Sequence, residues 1–221
     1  MALAREHGMV PEEIYSEKGK TAEDAILHQV LLYDMARQLR RPLLVASVDA
    51  SQCYDHIAHA VAALTLRAYK VQQSSVLTML HPIQNMEYYL RTGFGESSTF
   101  FGGSNGKKQG SCQGNGGAPP TWQQISSLLL NTHRRANHTI TITSPISKRT
   151  IKQVGILYVD DTNLVAGLRP EDDALSVLAR GQESVTQCGR SLMATGGGMK
   201  MRNVLGPYMP CSVTRRARGT M

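Results

Sequence analysis

Apolar positions along this chain recur first at helical and then at alternating spacing, and the changes of period mark its elements. Between Thr21 and Arg41, residues Ile26, Val30, Leu31, Met35 and Leu39 return every three or four positions, which is the spacing of one helix face. Thr21 with Asp24 makes a capping-box start, and Arg40 and Arg41 before Pro42 make a stop. The run LLVASVD, 43–49, is continuously apolar and predicts a buried strand ending on Asp49. A helix is predicted over DHIAHAVAALTLRAYK with Asp55 as its N-cap. A second is predicted over SSVLTMLHPIQNMEYYL, where Pro82 should kink or break it. Residues 93–120 are dense in glycine and read as loops or a hairpin, before TWQQISSLLLNTHRR restores a helical period. HTITITSPISKRTIKQVGILYV supplies strands, and GILYVDDTNLVAG, 155–167, reads as two short strands around a polar turn. PEDDALSVLARGQESVTQCGRSLMAT is an amphipathic helix ahead of three glycines, and the last stretch has little periodicity. There is no internal repeat. This order suits an α+β domain, a sheet with helices packed on one face.

Composition narrows the class. At 221 residues, 41% hydrophobic and 19% charged, the chain can bury one good core and a small second lobe. No apolar run approaches the ~20 residues of a membrane span, and the N-terminus lacks the apolar core of a signal peptide. Cys53, Cys112, Cys188 and Cys211 are scattered without a CxxC pair. Reduced thiols in an intracellular protein, cytoplasmic or nuclear, are the expectation. The formal charge is +7, and its distribution matters more than its size. Residues 97–159 contain no acid but carry Lys107, Lys108, Arg134, Arg135, Lys148, Arg149 and Lys152. Residues 190–221 are also free of acids. Such a field favours polyanions, nucleic acid first.

Asp160 and Asp161 are the candidate chemistry inside this field. Asp and Asn are ordinary turn formers, so the pair has a purely structural reading. Two carboxylates at the tip of a buried hairpin repel, however, and one is pushed towards protonation unless a cation sits between them. Asp49, at the end of an apolar strand, supplies a third carboxylate. A strand-end Asp beside a hairpin-tip pair is the arrangement that clamps two divalent cations in nucleotidyl transfer.

The motifs DASQCYD, QGSCQGNGGAPPTW and YVDD, in that order, resemble motifs A, B and C of reverse transcriptases, most closely the retroelement branch. EKGKTAEDAI and LYDMARQLRRP resemble the region just before motif A, so the likeness covers roughly residues 11–205. It implies a polymerase palm over 43–205, a partial fingers region over 1–42 and a basic, disordered tail over 206–221. It also implies RNA-directed DNA synthesis with two Mg²⁺ or Mn²⁺ ions held by Asp49, Asp160 and Asp161, the last being the less strictly required. Ala50 would lie beside the incoming deoxynucleoside triphosphate. Tyr54 would exclude the ribose 2′-hydroxyl, and Gln113 and Gly114 would lie along template and nucleotide. RNA template and DNA primer are the implied partners. The sequence departs from the family in three places. Glu17 stands where a basic residue is usual, beside Lys18 and Lys20. Asn203 and Val204 replace a Lys-Cys pair whose lysine assists the leaving pyrophosphate, which makes Lys200 the candidate substitute. Much of the fingers and the thumb are not represented, as expected for a segment of a longer polyprotein. The alternative is a catalytically inactive remnant that keeps a nucleic-acid-binding palm.

Overall fold

A computed structural model describes residues 10–103, 109–111, 114–144 and 146–208. In chain order its elements are α1 (Ala22–Leu39), β1 (Leu43–Ser51), α2 (His59–Ala68), α3 (Gln73–Gln84), β2 (Glu87–Thr92), β3 (Gly95–Gly102) and α4 (Ala118–Arg135). They continue with β4 (Ile140–Thr143), β5 (Thr150–Gln153), β6 (Gly155–Tyr158), β7 (Asp161–Gly167), α5 (Ala174–Ala194) and β8 (Gly198–Tyr208). A four-stranded antiparallel sheet runs β6-β7-β1-β8, and two hairpins, β2-β3 and β4-β5, stand apart from it. No helix among the described residues is long and apolar enough to cross a membrane.

The continuous apolar run of β1 is explained by cover on both faces. Leu44, Ala46 and Val48 point into a core shared with Leu130 of α4 and with Val177 and Val185 of α5. Leu43 and Val45 point the other way, onto Ala25, Leu32 and Ala36 of α1. The α+β architecture is as expected, with α1 covering part of the second face. Its contact side differs from the simple periodic reading. Ile26 is 62% exposed, and Leu27, Val30, Leu31 and Leu39 are also exposed. The helix approaches the sheet through Leu32 flanked by the small Ala25 and Ala36, which allow close packing, while Ile26, Leu27, Val30, Leu31 and Leu39 are turned outward.

Several boundaries move. The α2 helix starts at His59 after Ala58, with no side-chain cap, so Asp55 is not its N-cap but part of the preceding turn. Pro82 neither kinks nor breaks α3 midway, because it falls in the last turn of a helix that ends at Gln84. The following EYYL, read above as helix, is strand β2, paired with β3. Pro119 and Pro120 belong to the first turn of α4, where a missing N–H costs nothing. Gly198–Tyr208, not anticipated as a strand, forms the edge beside β1, so 206–208 are sheet, while 209–221 lie outside the described residues.

The opposite edge is covered by the lead-in segment. Ile14 bridges Leu157 in parallel, with Tyr15 N–H donating to Leu157 O at 2.8 Å and Leu157 N–H to Glu13 O at 2.9 Å. Arg134 of α4 donates to the Glu13 carboxylate. An exposed edge would invite another chain; here residues 13–15 occupy it.

Candidate active site

Antiparallel register decides which side chains share the end of the sheet. Tyr158 is opposite Asp161, Asp161 opposite Asp49, and Asp49 opposite Lys200. Residues directly opposite point to one face, so Tyr158, Asp161, Asp49 and Lys200 form one row across four strands. The next row holds Ile156, Asn163 and Ser47. In it the Ser47 hydroxyl donates to Asn163 Oδ1, and Asn163 Nδ2 donates to Gln29 Oε1 of α1 at 2.9 Å. Asp49 is 8% exposed, whereas Asp161 is exposed. Two carboxylates directly opposite destabilise a ladder; Lys200 on the far side of Asp49 offsets part of that repulsion. Among the described residues, no three His, Cys, Asp or Glu side chains form a ready-made metal cluster.

Asp160 sits in the two-residue turn Val159–Asp160 that joins β6 to β7. Val159 has φ 57° while Asp160 is not left-handed, the sign pattern of a II′ turn, whose first position normally takes glycine. A β-branched residue there is strained by about 1–3 kcal/mol, and it persists because neighbours hold both turn carbonyls. Ala50 N–H donates to Asp160 O at 3.3 Å. The indole N–H of Trp122, on α4, donates to Val159 O at 2.6 Å. Residue 159 is thus tied to the helix that follows the glycine-rich loop, and residue 160 to the strand that carries Asp49.

The loop after β1 completes the neighbourhood. Burial first, then the charges of Asp160, Asp49 and Asp55, push the Cys53 thiol up to about 12, so two of the three metal-candidate aspartates act on one buried thiol. That thiol is inert. Burial, then Cys53 and Asp160, also raise the Tyr54 phenol. Tyr54 lines a cavity of about 210 Å³ with Pro119, Pro120, Trp122 and Val159. The glycine-rich loop is stitched onto this turn: Ser111 N–H donates to Tyr54 O at 2.6 Å and Gly110 N–H to Ile57 O at 2.8 Å. His59 Nε2 lies 2.6 Å from Gly110 O. Gly110 has φ 89°, and a Cβ there would run into the Asp55 backbone. Gly114 has φ 92° with open space around it, so its conformation, and not crowding, calls for glycine.

The structure therefore gathers Asp49, Asp160, Asp161, Ala50 and Tyr54 at one end of the sheet. Gln113 lies outside the described residues, as do Lys107 and Lys108. Glu17, where a basic residue is usual, accepts a hydrogen bond from Gln123 of α4 at 2.6 Å. Lys20 donates to Glu12 O and Ile14 O; both side chains fasten the lead-in segment. Trp122, Gly110 and His59 were not singled out in the sequence.

No protein-family model matches the chain. No curated protein matches it either. Solved structures do. One is a Candida tropicalis telomerase in complex with a TWJ fragment of telomeric RNA, with TM-score 0.52 and 12% identity over 90% of this chain and 30% of that one. A second is an apo telomerase from the same organism, truncated from its C-terminal domain, with TM-score 0.50 and 11% identity over 84% of this chain and 34% of that one. The chain thus spans about a third of the length of the structures it matches. At such identity only fold is shared: the chain is an α+β, palm-like domain of the kind that telomerase, a relative of the reverse transcriptases, also contains.

Proposed function

We propose that this chain is the palm of a retroelement RNA-directed DNA polymerase, which adds deoxynucleotides to a DNA primer on an RNA template. One observation carries the reading: Asp49 at the end of β1 stands in register with Asp161, in a palm-like fold, with Asp160 tied to the same strand through Ala50. Asp49, Asp160 and Asp161 would hold two Mg²⁺ or Mn²⁺ ions. The chemistry supplied there would be a lowered pKa at the attacking primer hydroxyl and neutralised charge on the leaving phosphates. Magnesium sites in polymerases take one or two protein carboxylates and complete their shell with substrate phosphates. Asp49 and Asp161 in register supply two such carboxylates, and metal affinity without nucleotide should be weak. Tyr54 crowds the sugar of the incoming nucleotide, Gly114 and Gln113 border its base pair, and Lys200, opposite Asp49, faces the leaving group.

A non-catalytic palm that binds nucleic acid is the second reading, favoured by Asn203 and Val204 standing where the resembled family has a Lys-Cys pair. Primer extension separates the two. The 221-residue chain, and the same palm within a longer chain carrying fingers and thumb, are assayed on an RNA template with Asp160→Ala as control. The polymerase reading expects Asp160-dependent synthesis by the longer chain, with deoxynucleotides preferred. Very weak synthesis is expected from the short chain, because in-line positioning supplies several kcal/mol of the rate. No synthesis by the longer chain leaves the second reading.

A further inference from the structure

Trp122 lies 37 positions before the carbonyl it holds, yet it joins two of the three motifs. Its ring is 5% exposed and packs with Leu80, Ile125 and Leu192, while its one polar atom reaches out of that core to Val159 O at 2.6 Å. Val159 is the strained residue of the Val159–Asp160 turn, at φ 57°. The other turn carbonyl, on Asp160, is taken by Ala50 N–H. Without the indole, the left-handed residue would keep its strain and lose the bond that fixes the carbonyl's direction. The next residue is Asp160, so a rotation at 159 swings its carboxylate, while Asp161 is held in the ladder opposite Asp49 and Tyr158.

We infer that Trp122 is a positioning residue, whose indole N–H holds the Val159–Asp160 turn in the conformation that directs the Asp160 carboxylate beside the ladder-fixed Asp49–Asp161 pair. This rests on the polymerase reading for the use made of the carboxylates. It adds a coupling: α4 follows the glycine-rich loop, so a shift of that helix on the nucleotide side is felt at the metal-binding turn. Groups that orient metal ligands typically cost 10- to 100-fold in metal affinity when removed.

The full chain, which has one tryptophan, allows a direct test. A nitrogen-15 spectrum contains a single indole N–H peak. During Mg²⁺ titration that peak should move with the midpoint shown by the bulk amide shifts, and it should stay still in Asp160→Asn. Mn²⁺ affinity, read by water-proton relaxation, should fall about tenfold or more in Trp122→Phe, which keeps the ring and removes the donor. Adding Val159→Gly to Trp122→Phe should restore most of that affinity, because glycine adopts the turn unaided. Wild-type Mn²⁺ binding with an unmoved indole peak overturns the inference and leaves the polymerase reading standing. So does a folded Trp122→Phe that binds as wild type does, or a double variant with no recovery. If the wild type binds no Mn²⁺ at these carboxylates, both fall. If Trp122→Phe does not fold, the wild-type titration decides.

Discussion

Val159 shows how one side chain can be poorly suited to its own backbone and still be retained. Its left-handed φ suits glycine, so Val159→Gly relieves strain and loses some unfolded-state advantage. The net expectation is a gain of about 1 kcal/mol in urea unfolding; a loss of stability would show that the valine side chain outweighs its backbone. His133 supplies a pH prediction. It is 2% exposed, and its Nε2 lies 3.0 Å from Ser184 Oγ. Burial, then the neighbouring His138, lower it from 6.5 to about 4. The unfolded imidazole takes a proton near pH 6.5 and the folded one resists, so stability is full above 6.5 and is lost as pH falls towards about 4. The loss is on the order of 3 kcal/mol. His133→Gln, measured by denaturant unfolding across that window, should remove most of the slope; an unchanged slope would assign the pH response to other groups. At this scale the aspartates were legible because a turn pair and a strand end announce themselves locally. Trp122 was not, since nothing in TWQQISS indicates a hydrogen bond to a turn 37 residues away.

Elements were legible where one period ran uninterrupted and a cap marked its start. The Thr21–Asp24 box is present in α1, and the Asp161–Gly167 strand follows its apolar run. The contact side of α1 was hidden because Ala25 and Ala36 score weakly in any hydrophobic pattern, although their smallness lets the helix approach the sheet. Strand β8 was hidden for another reason: GMKMRNVLGPY does not alternate cleanly, and its pairing with β1 is interrupted by register shifts. Between elements, Gly110 is the tight joint. Gly110→Ala would meet the Asp55 backbone at an unfavourable φ, so it should lower stability by about 2 kcal/mol and, on the polymerase reading, weaken nucleotide binding. Thermal unfolding with and without nucleotide checks this. Wild-type stability would mean that the loop shifts freely.

For the whole molecule, charge gives the clearest expectation. A net +7 and an acid-free span over 97–159 predict binding to nucleic acid of any sequence, weakening steeply with salt as counterions are released. Fluorescence anisotropy at several salt concentrations measures the slope, and a flat response between dilute and physiological buffer would contradict it. Class and motif order were legible at this scale because a handful of residues fixes them. The cover of the sheet edge by residues 13–15 was not, because it depends on an isolated bridge with no pattern of its own.

The central position of β1 also has a cost in time. Its residues, 43–51, hydrogen-bond with 161–167 on one side and with 198–208 on the other. A ribosome therefore releases this apolar strand long before either neighbour exists. At roughly 5–20 residues per second the wait is on the order of ten seconds. During it LLVASV has no sheet to join and is open to chaperones or to another nascent chain. The same connectivity that brings Asp49 beside Asp161 makes the carboxylate end of the sheet one of the last places in the molecule to form.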